Sequence, residues 1–349
     1  MNRYTTSRVT EDMAEIVSRS AVDLRHIGQR DVVLTGATGF VGQWLSMSYL
    51  SARKAFSLPG RLFAVAREPH GFEQRMSEAG LSDGLVAVPA DVRTLAGDVL
   101  PEGASIIHAA TPARASLNSS QPLEMIDIIV RGQSTMLEIA TKIHAHRFLF
   151  LSSGAVYGRQ PHNVGSLKET WEGAPLVGDP ANAYHEAKRL AEMLGNIACS
   201  TEGLSFTSAR LFAFLAPFLP LDEHFAAGNF LGNASRRETI SISSGGGSIR
   251  TYQYGTDMAV WLWAILARGR PLAAYNVGSD QEITVRALAE LIAIQSGSEG
   301  NVEIRGIDTE SNVTRYVPDV NLVRDELGVS NVVNLGDAIS RTIQWVRQS

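Results

Sequence analysis

Short apolar runs alternate with longer stretches of helical periodicity through the first two hundred residues. The runs that predict strands lie at residues 32–34, 62–65, 85–88, 105–108, 147–151 and 204–207. Helical patterns separate most of them, near residues 43–53, 122–145 and 181–201. Because short buried strands joined by helices form parallel sheets that are covered on both faces, the pattern predicts a doubly wound α/β fold.

The two ends of the chain have a different texture from this alternating region. Residues 1–30 precede the first strand. The sequence Thr10-Glu11-Asp12 predicts the start of an added helix. Its apolar stripe consists of Met13, Ile16, Val17 and Val22. After residue 212, prolines and glycines cluster and the strand pattern becomes less regular. We therefore expect a helical extension at 1–30, a sheet domain at 31–212, and a smaller lobe at 213–349 that is partly interleaved with the sheet.

Composition and charge restrict the partners and the compartment. A net charge of −5 disfavours nucleic acid and anionic membranes as main partners. Residues 211–221, the most apolar stretch, hold two prolines and are too short to cross a bilayer, and the N-terminus lacks the apolar core of a signal peptide. Cys199 is the single cysteine and cannot form an internal disulfide, so we expect a soluble protein of the reducing cytoplasm.

Three glycines follow the first predicted strand at a spacing of three, namely Gly36, Gly39 and Gly42. Glycines at such positions let the backbone turn sharply, approach an anion closely and pack the next helix against the strand. The helix that follows directs free N–H groups and its positive dipole end at the turn, which suits a pyrophosphate. The spacing differs from the commoner Gly-x-Gly-x-x-Gly, and glycine turns are often structural, so this motif alone leaves nucleotide binding open.

Tyr184 and Lys188 lie four residues apart, on one face of a predicted helix. A neighbouring ammonium favours tyrosinate and lowers the pKa of a phenol from its usual value of about 10. Tyr184 would thereby become a usable general acid or base. The same spacing also occurs on solvated helix faces, so the pair by itself does not identify a site.

As a set, these motifs resemble the extended short-chain dehydrogenase/reductases, the family that includes the nucleotide-sugar epimerases and dehydratases. Residues 35–42 match the family turn Thr-Gly-x-x-Gly-Phe-x-Gly, residues 152–158 match Ser-Ser-x-x-Val-Tyr-Gly, and Tyr184 with Lys188 matches Tyr-x-x-x-Lys. The resemblance runs from residue 31 to the C-terminus and includes residues 107–110, 275–279 and 317–319. It implies a Rossmann-type domain at 31–212 that binds a dinucleotide, and a substrate-binding lobe at 213–349.

The resemblance also implies roles for individual residues. Tyr184 would exchange a proton with a sugar hydroxyl while hydride passes to or from the nicotinamide. Lys188 would hydrogen-bond the nicotinamide ribose and hold Tyr184 at a low pKa. Ser153 would hydrogen-bond the reacting oxygen. Arg250 looks like an arginine that grips the substrate diphosphate, with an ordinary surface arginine as the alternative. No metal site is expected. Besides Tyr184 and Lys188, the expected cofactor contacts are Gly36, Thr38, Gly39, Phe40, Val41, Gly42, Arg67, Asp91, Val92, Ala109 and Ala110.

The end of the second strand bears on the choice of cofactor. Relatives that use NAD usually carry an acidic residue there, whereas this chain has Ala66 followed by Arg67. An arginine at this place suits a 2′-phosphate, so NADP is somewhat favoured among the NAD(P) cofactors. Glu68, which comes next, leaves the choice open.

Further departures from the family pattern bear on the reaction. Gly154 and Ala155 stand where the 4,6-dehydratases carry an Asp-Glu pair, so there is no carboxyl group at that place to eliminate water. Ala213 and Ile129 replace asparagines of two other family motifs. These last two replacements leave the identity of the substrate open.

We therefore expect an NAD(P)-dependent enzyme that acts on a nucleotide-activated sugar by hydride transfer, of the epimerase or 4-ketoreductase type. A dehydratase or decarboxylase of the same family is an alternative. A protein that senses a dinucleotide without turnover is another, and the intact set of Ser153, Tyr184 and Lys188 argues against it.

Two predicted helices suggest an assembly. In the family these helices commonly pair with their copies in a second subunit, and we expect a homodimer on that basis. The alternative is that both apolar faces simply cover the sheet. The apolar residues concerned are Leu123, Ile126, Ile129, Val130 and Leu137 on one helix and Leu190, Met193 and Leu194 on the other.

Overall fold

The computed structural model describes residues 3–111, 120–221, 226–310 and 312–348. Within these ranges, the strands of the chain occur in the following order: β1 (Val32–Thr35), β2 (Leu62–Ala66), β3 (Leu85–Pro89), β4 (Ser105–His108), β5 (Arg147–Ser153), β6 (Phe206–Leu211), β7 (Ile240–Ile242), β8 (Ile249–Thr251), β9 (Ala274–Val277), β10 (Glu282–Thr284) and β11 (Val302–Ile304). Seven of them form one parallel sheet in the order β3-β2-β1-β4-β5-β6-β9. The doubly wound parallel sheet predicted from the apolar runs is confirmed.

The sheet order reverses at β1, which has β2 on one side and β4 on the other. Val33 is opposite Phe63 of β2 and Ile106 of β4. In open α/β sheets, ligands bind beyond the carboxyl ends of the strands at such a reversal. The loops after β1 and β4 therefore border the crevice in which a ligand is expected.

Helices cover both faces of the sheet. In chain order they are α1 (Ser7–Arg19), α2 (Ala21–Ile27), α3 (Phe40–Phe56), α4 (His70–Glu78), α5 (Pro122–Lys142), α6 (Ala183–Glu202), α7 (Ala226–Ser235), α8 (Gly255–Arg268), α9 (Val285–Ser296), α10 (Asn321–Leu327) and α11 (Leu335–Gln348). Val33 belongs to the core layer under α5 and α6, whereas Val32 and Leu34 belong to the layer formed with α3 and α8. Across the described ranges, every helix is too short or too polar to cross a membrane.

One predicted strand is displaced along the chain. The apolar run at 204–207 predicts a strand, but β6 begins at Phe206 and continues to Leu211. Gly203 ends α6 in a left-handed conformation, with φ of 71°, and the chain needs Leu204 and Ser205 to complete the turn. Leu204 is still buried, so its apolar character reflects packing in the turn rather than a place in the strand.

The N-terminal extension forms two helices instead of one. The Thr6 hydroxyl accepts a hydrogen bond from the N–H of Val9 at 3.3 Å, so α1 begins four residues before the start expected at Thr10 to Asp12. Met13 and Ile16 are buried as the stripe predicts. Val22 is 80% exposed, because it lies on α2 and not on α1. The buried residues of α2 are Asp23, Leu24 and Ile27, so the stripe of α1 does not continue through Val22.

Buried charged groups attach α1 to the C-terminal part of the chain. Asp12 is fully buried and accepts a hydrogen bond from the Tyr254 hydroxyl at 2.6 Å, and Arg8 pairs with it at 2.8 Å. Burial raises the pKa of the Asp12 carboxyl to about 6, and these partners oppose the rise. Glu15 pairs with Arg341 of α11 at 2.9 Å. The extension is therefore part of the packed body rather than a loose arm.

Segments from the C-terminal third of the chain lie across the carboxyl edge of the sheet. The segment 314–316 runs beside β8: the N–H of Ile249 donates to Thr314 O at 2.8 Å, and the N–H of Tyr316 donates to Ile249 O at 3.1 Å. A bridge between Leu167 and Pro318 continues this contact toward the loop after β5. The arrangement brings β8 and residues 314–318 next to the end of β5.

Candidate active site

The glycine turn after β1 is shaped by close backbone contacts. Gly36 has a φ of 70°, and a Cβ there would lie 2.7 Å from the carbonyl oxygen of Ala109. A Cβ on Gly42 would lie 2.2 Å from the carbonyl oxygen of Gly36. Gly39 is different, because it is exposed and its nearest neighbour would be 3.3 Å away. Two of the glycines are required by packing, and the third leaves free space at the surface.

That free space lies at the N-terminus of α3. The helix begins at Phe40, and no side chain caps its first turn. Uncapped N–H groups at the positive end of a helix dipole form an anion site. Phe40 and Val41 are partly buried, and the Phe40 ring packs 6.3 Å from Phe214. Thr38 directs its carbonyl oxygen to the Gln43 side chain at 3.0 Å.

A hydroxyl–imidazole pair fixes the ends of β1 and β4. The Thr35 oxygen accepts hydrogen bonds from the N–H groups of Ala109 and Ala110, both at 3.1 Å. His108 Nδ1 lies 2.7 Å from the same oxygen. Burial lowers the pKa of His108 to about 3, so its ring is neutral. Because the Thr35 oxygen already accepts two N–H groups, its own proton is directed to Nδ1, which assigns the ring proton of His108 to Nε2. The backbone at Ala109 and Ala110 is thereby held against the glycine turn.

Lys188 is a buried ammonium beside this crossing. Its Nζ donates to Leu151 O at 2.7 Å and to the Thr111 hydroxyl at 2.9 Å, and it lies 4.6 Å from the Phe150 ring centroid. The residue is 2% exposed, and burial lowers its pKa to about 7. The charge of Glu192 opposes this lowering, but that carboxylate is bonded to Arg210 at 2.7 Å. A cation so placed titrates near neutral pH.

Tyr184 lies one turn before Lys188 on α6, near Ser153, the last residue of β5. The sequence motif led us to expect that Lys188 lowers the pKa of Tyr184. In this structure burial raises that pKa, and the nearby Ser153 side chain opposes the rise. Lys188 Nζ is 5.9 Å from the Tyr184 ring centroid, and an amine with a pKa of about 7 is only partly charged at neutral pH. Its influence on the phenol is correspondingly weak.

Arg250 is a partly buried cation on β8. Its guanidinium donates to Ile249 O at 2.8 Å, to Thr314 O at 3.1 Å and to the Thr314 hydroxyl at 2.7 Å. These acceptors are neutral, and among residues 3–111, 120–221, 226–310 and 312–348 no carboxylate forms an ion pair with it. Burial lowers its pKa. A cation with neutral partners suits an anionic ligand.

The ends of β2 and β3 carry the remaining expected cofactor residues. Arg67 is exposed just beyond β2. The Asp91 carboxylate accepts from Arg93 Nε at 3.0 Å and from Nη2 at 2.8 Å, which lowers its pKa to about 2. Val92 is 6% exposed and borders the space beside Gly132, so its side chain belongs to the core rather than to the crevice.

Tyr316 is a site residue that the sequence analysis missed. Its hydroxyl donates to Leu211 O at 3.4 Å, and the centroid of its ring lies 4.4 Å from that of the Phe212 ring. A Cβ on Gly154 would lie 2.5 Å from the Tyr316 hydroxyl oxygen. The sequence feature that points to Tyr316 is its position directly before the Val317-Pro318-Asp319 motif. In the part of the chain that the structure describes, no group of His, Cys, Asp and Glu is arranged to hold a metal ion.

Comparison with known proteins agrees with this arrangement. Residues 32–278 match the model of the NAD dependent epimerase/dehydratase family. A UDP-glucuronic acid decarboxylase 2 of Arabidopsis thaliana is 26% identical over 319 residues, which are 91% of this chain and 68% of that protein.

Two solved structures have the same fold. A UDP-glucose 4-epimerase with UDP-glucose, from Thermotoga maritima, superposes with a TM-score of 0.77 at 20% identity, covering 91% of this chain and 99% of that one. MoeE5 in complex with UDP-glucuronic acid and NAD superposes with a TM-score of 0.75 at 23% identity, again covering 91% and 99%. At these identities the likeness establishes the fold.

The different surroundings of Gly39 and Gly42 give a matched pair of substitutions. Gly42→Ala places a methyl group against Gly36 O, so we expect a loss of stability of about 1–3 kcal/mol. Gly39→Ala meets only Gly36 O, at 3.3 Å, and a shift of a few tenths of an ångström relieves that contact, so the melting temperature should fall much less than in Gly42→Ala. The methyl group would stand over the helix N-terminus. We expect it to weaken dinucleotide binding by about tenfold or more, as one charged hydrogen bond is lost. Thermal melts and calorimetric titration with NAD and NADP measure both effects. Equal melting losses, or unchanged binding in Gly39→Ala, would contradict this division of roles.

Proposed function

Because the chain belongs to the NAD-dependent epimerase/dehydratase family, we propose that it moves hydride at one carbon of the sugar in a nucleotide-activated sugar. The observation that carries this proposal is the meeting of three groups at one edge of the sheet. Ser153 ends β5, Tyr184 lies near it on α6, and the Nζ of the buried Lys188 is 5.9 Å from the Tyr184 ring centroid. Arg250, which has neutral partners, is the candidate to hold the diphosphate of the substrate.

The residues of the crevice fit a dinucleotide. The open position at Gly39 and the uncapped start of α3 would hold its pyrophosphate, and Lys188 would hold the ribose next to the nicotinamide. When bound, the nicotinamide supplies the hydride acceptor and donor. NAD is present in the solved structure of the similar protein MoeE5.

In the proposed reaction, Tyr184 exchanges a proton with the oxygen on the reacting carbon. The oxidising direction requires Tyr184 as tyrosinate: its oxygen takes the hydroxyl proton, the hydrogen on the same carbon leaves as hydride, and the C–O bond becomes a carbonyl. Because burial favours the phenol, Tyr184 has to lose its proton before this step. In the reducing direction both steps run backwards, and burial keeps Tyr184 protonated for that donation at neutral pH. The Ser153 hydroxyl hydrogen-bonds the reacting oxygen as its charge changes.

The surroundings of Ser153 favour chemistry without elimination of water. Gly154 and Ala155 offer no carboxyl group, and the Tyr316 oxygen occupies the space that a side chain at 154 would need. Epimerisation requires only that the ketone turn over and that hydride return to its other face. A 4-ketoreductase would use NADPH once and release the product. These two reactions are the first candidates.

Decarboxylation of a sugar acid is a second candidate, because the curated relative with 26% identity is a UDP-glucuronic acid decarboxylase. Oxidation of the hydroxyl on the carbon next to the one that bears the carboxylate gives a β-keto acid. Such an acid loses CO2 from its carboxylate form and leaves an enolate, which takes a proton from solvent on the carbon that carried the carboxylate. Hydride then returns to the resulting ketone, and the alcohol oxygen takes a proton. Loss of CO2 does not need an acid at 154 or 155, so these residues are compatible with it.

The proposal extends to the compartment and the partner. Cys199 is the single cysteine of the chain and lies partly buried on α6, which suits a reducing cytoplasm. The net charge of −5 disfavours nucleic acid and anionic membranes. A small nucleotide sugar is then the proposed partner.

A product analysis tests the function and separates the candidates. The protein is incubated with NAD or NADP and with UDP-glucose, UDP-galactose or UDP-glucuronic acid, and with NADPH and a 4-keto sugar nucleotide. Nuclear magnetic resonance distinguishes an epimer, and mass spectrometry detects loss of CO2 or gain of two hydrogens.

Tyr184→Phe should lower the rate by roughly 10²–10⁴-fold and leave dinucleotide binding intact. The control is Tyr49→Phe, which removes another buried phenol. If Tyr184→Phe keeps more than about a tenth of the rate, Tyr184 is not the acid/base. If dinucleotide binds but no product forms, a sensing role is favoured.

The second prediction concerns the cofactor. Arg67 is exposed, follows Ala66 at the end of β2, and forms no ion pair within the described ranges. We expect NADP to bind more tightly than NAD, and Arg67→Ala to remove the difference, because the guanidinium would pair with the 2′-phosphate. Titration of both cofactors measures this, with Arg305→Ala as an exposed arginine distant in sequence from the turn. NAD binding that equals or exceeds NADP binding, and that Arg67→Ala leaves unchanged, would show the expectation to be wrong.

The proposed dimer rests on an apolar surface of α5 and α6. Some of the apolar residues named from the sequence cover the sheet, since Ile129 is 1% and Leu137 is 7% exposed. Others face outward, with Leu123 at 79%, Met193 at 60% and Leu190 at 42% exposed. The two helices are held side by side, and the Gln133 amide donates to Ala191 O at 3.2 Å. A symmetric pairing of this surface would bury it.

Light scattering at micromolar concentration should therefore report about twice the chain mass of 37.7 kDa. Met193→Asp should halve the measured mass, because it would bury a charge without a partner at the centre of the contact. Ile294→Asp is the matched control, since Ile294 is 55% exposed on α9. A monomeric wild type, or a Met193→Asp protein that remains dimeric, would rule this surface out as the interface.

A further inference from the structure

The side chain of Tyr4 connects the N-terminal extension to the glycine turn. The Tyr4 hydroxyl donates to Gln43 Oε1 at 2.6 Å, and Gln43 Nε2 donates to Thr38 O at 3.0 Å. Thr38 lies in the turn after β1, and Gln43 lies near the start of α3. The match to the family model begins at residue 32. Tyr4 therefore reaches the family's glycine turn from outside the matched region.

The directions of the two hydrogen bonds follow from the groups at their ends. A carbonyl oxygen only accepts, so Thr38 O requires the amide NH2 group of Gln43 on its side. The amide oxygen of Gln43 then faces Tyr4, and the phenol donates to it. Burial raises the pKa of Tyr4 against the opposing charges of Arg75 and Arg3, so at neutral pH the phenol keeps the proton that it donates.

The Tyr4 ring is fixed by packing. The residue is 6% exposed, and its ring stacks on Phe218 with the centroids 5.0 Å apart. The Arg75 guanidinium of α4 lies 5.4 Å from the centroid of the Tyr4 ring. On the preceding residue, the Arg3 carbonyl oxygen accepts from the Trp345 indole at 3.0 Å. The phenol oxygen is therefore presented to α3 by a packed segment and not by a loose chain end.

Phe218 links the same segment to α3. Its ring centroid lies 6.2 Å from that of Trp44 and 5.3 Å from that of Trp345, with both rings edge-on to it. Trp44 is the residue after Gln43, and it is fully buried. The rings of Tyr4, Trp44, Phe218 and Trp345 thus join the N-terminal segment, α3, the loop after β6 and α11. The donor and the acceptor of the hydrogen bond from Tyr4 are both held by these rings.

The peptide plane between Thr38 and Gly39 is held at both of its polar atoms. Thr38 O accepts from Gln43, and the N–H of Gly39 donates to Gly36 O at 3.0 Å. Glycine at 39 permits more than one orientation of this plane, so hydrogen bonds have to select one. While Thr38 O is engaged with Gln43, it does not compete with an anion for the N–H groups at the start of α3.

We propose that Tyr4 is a positioning residue of the dinucleotide site and acts through Gln43 on the orientation of the glycine turn. The inference rests on the proposed function in one respect, the binding of a pyrophosphate at the start of α3. Without the Tyr4 hydroxyl, the Gln43 amide loses the donor that fixes it and can rotate away from Thr38 O. The free protein then populates turns that have to be reordered before a dinucleotide binds, and its affinity falls by that fraction.

Tyr4→Phe tests the proposal, because it keeps the ring against Phe218 and removes only the hydroxyl. In the full-length protein it should weaken the binding of NAD and NADP by about three- to tenfold, which corresponds to one hydrogen bond. ADP-ribose, which carries the pyrophosphate without the nicotinamide, should lose the same factor. Hydrogen exchange of residues 36–43 in the protein without ligand should become faster, because the turn is held less firmly. Calorimetric titration measures the affinities, and mass spectrometry measures the exchange.

Tyr275→Phe is the matched control. The Tyr275 hydroxyl also donates to a side-chain oxygen at 2.6 Å, that of Glu326 Oε2. Tyr275 lies near the start of β9, at the edge of the parallel sheet opposite to the glycine turn. Its substitution should leave dinucleotide affinity and the exchange of residues 36–43 unchanged, even where thermal melts show that it lowers stability as much as Tyr4→Phe does. The comparison separates positioning of the turn from a general loss of stability.

Gln43→Met makes the outcome decisive. It removes both hydrogen bonds of the amide at a part-buried position, so it should reproduce the losses of Tyr4→Phe, and it serves if Tyr4→Phe does not fold. In the Gln43→Met background, Tyr4→Phe should cause no further loss of affinity, because the link to Thr38 is already gone. Unchanged affinity or unchanged exchange in Tyr4→Phe, or an equal further loss in the Gln43→Met background, would overturn the proposal.

The exchange measurement needs no ligand and is therefore independent of the proposed function. If the wild type binds no dinucleotide but the exchange of residues 36–43 rises in Tyr4→Phe, the hold of Tyr4 on the turn stands and the assignment of the turn to a pyrophosphate is wrong. If the wild type binds a dinucleotide while affinity and exchange are the same in Tyr4→Phe, the cofactor site stands and the role of Tyr4 is wrong.

Discussion

The close approach of β1 and β4 at their carboxyl ends is the constraint on which the site depends. Gly36 fits there because no Cβ stands between it and Ala109 O, and the buried pair of Thr35 and His108 holds the two strand ends together. The same loop continues to Thr111, whose hydroxyl accepts from Lys188. This one packing contact, at the point where the strand order reverses, therefore fixes the shape of the glycine turn that suits an anion. It also fixes the position of Thr111, one of the two hydrogen-bond acceptors of the Lys188 amine.

The groups that meet beyond this crossing are hydroxyls and cations. Ser153, Tyr184 and Tyr316 form the hydroxyl set, and Lys188 and Arg250 supply positive charge. Burial acts on both kinds in the direction that favours their neutral forms, raising the pKa of the phenols and lowering that of the amine. A phenol and an amine have similar pKa values in water, and burial moves them apart, so that near neutral pH the phenols stay protonated while Lys188 is close to its midpoint. A site of this kind suits a reaction whose charge appears on one substrate oxygen.

The parts of the site that were predictable from the sequence are those encoded in short segments. The glycine turn, Ser153 at a strand end and the Tyr184–Lys188 pair each lie within a few residues of the element that positions them. The approach of the Tyr316 hydroxyl to Gly154 joins segments that are far apart in the chain, and no periodicity reports such a contact. The pKa of Tyr184 depends on burial, which residue spacing does not encode. The shifted start of β6 has a similar origin, since the turn after Gly203 had to be completed first.

The attachment of α1 to α11 has a consequence for the order in which the protein is made. Glu15 is paired with Arg341, and the Arg3 carbonyl accepts from the Trp345 indole at 3.0 Å. Glu15 is thus bonded to a residue that is synthesised 326 residues later. At synthesis rates of about 5–20 residues per second, α1 must wait for roughly tens of seconds before this partner exists. During that interval α1 can pack only on earlier elements such as α3, and its polar bonds to α11 form after the rest of the sheet has been made.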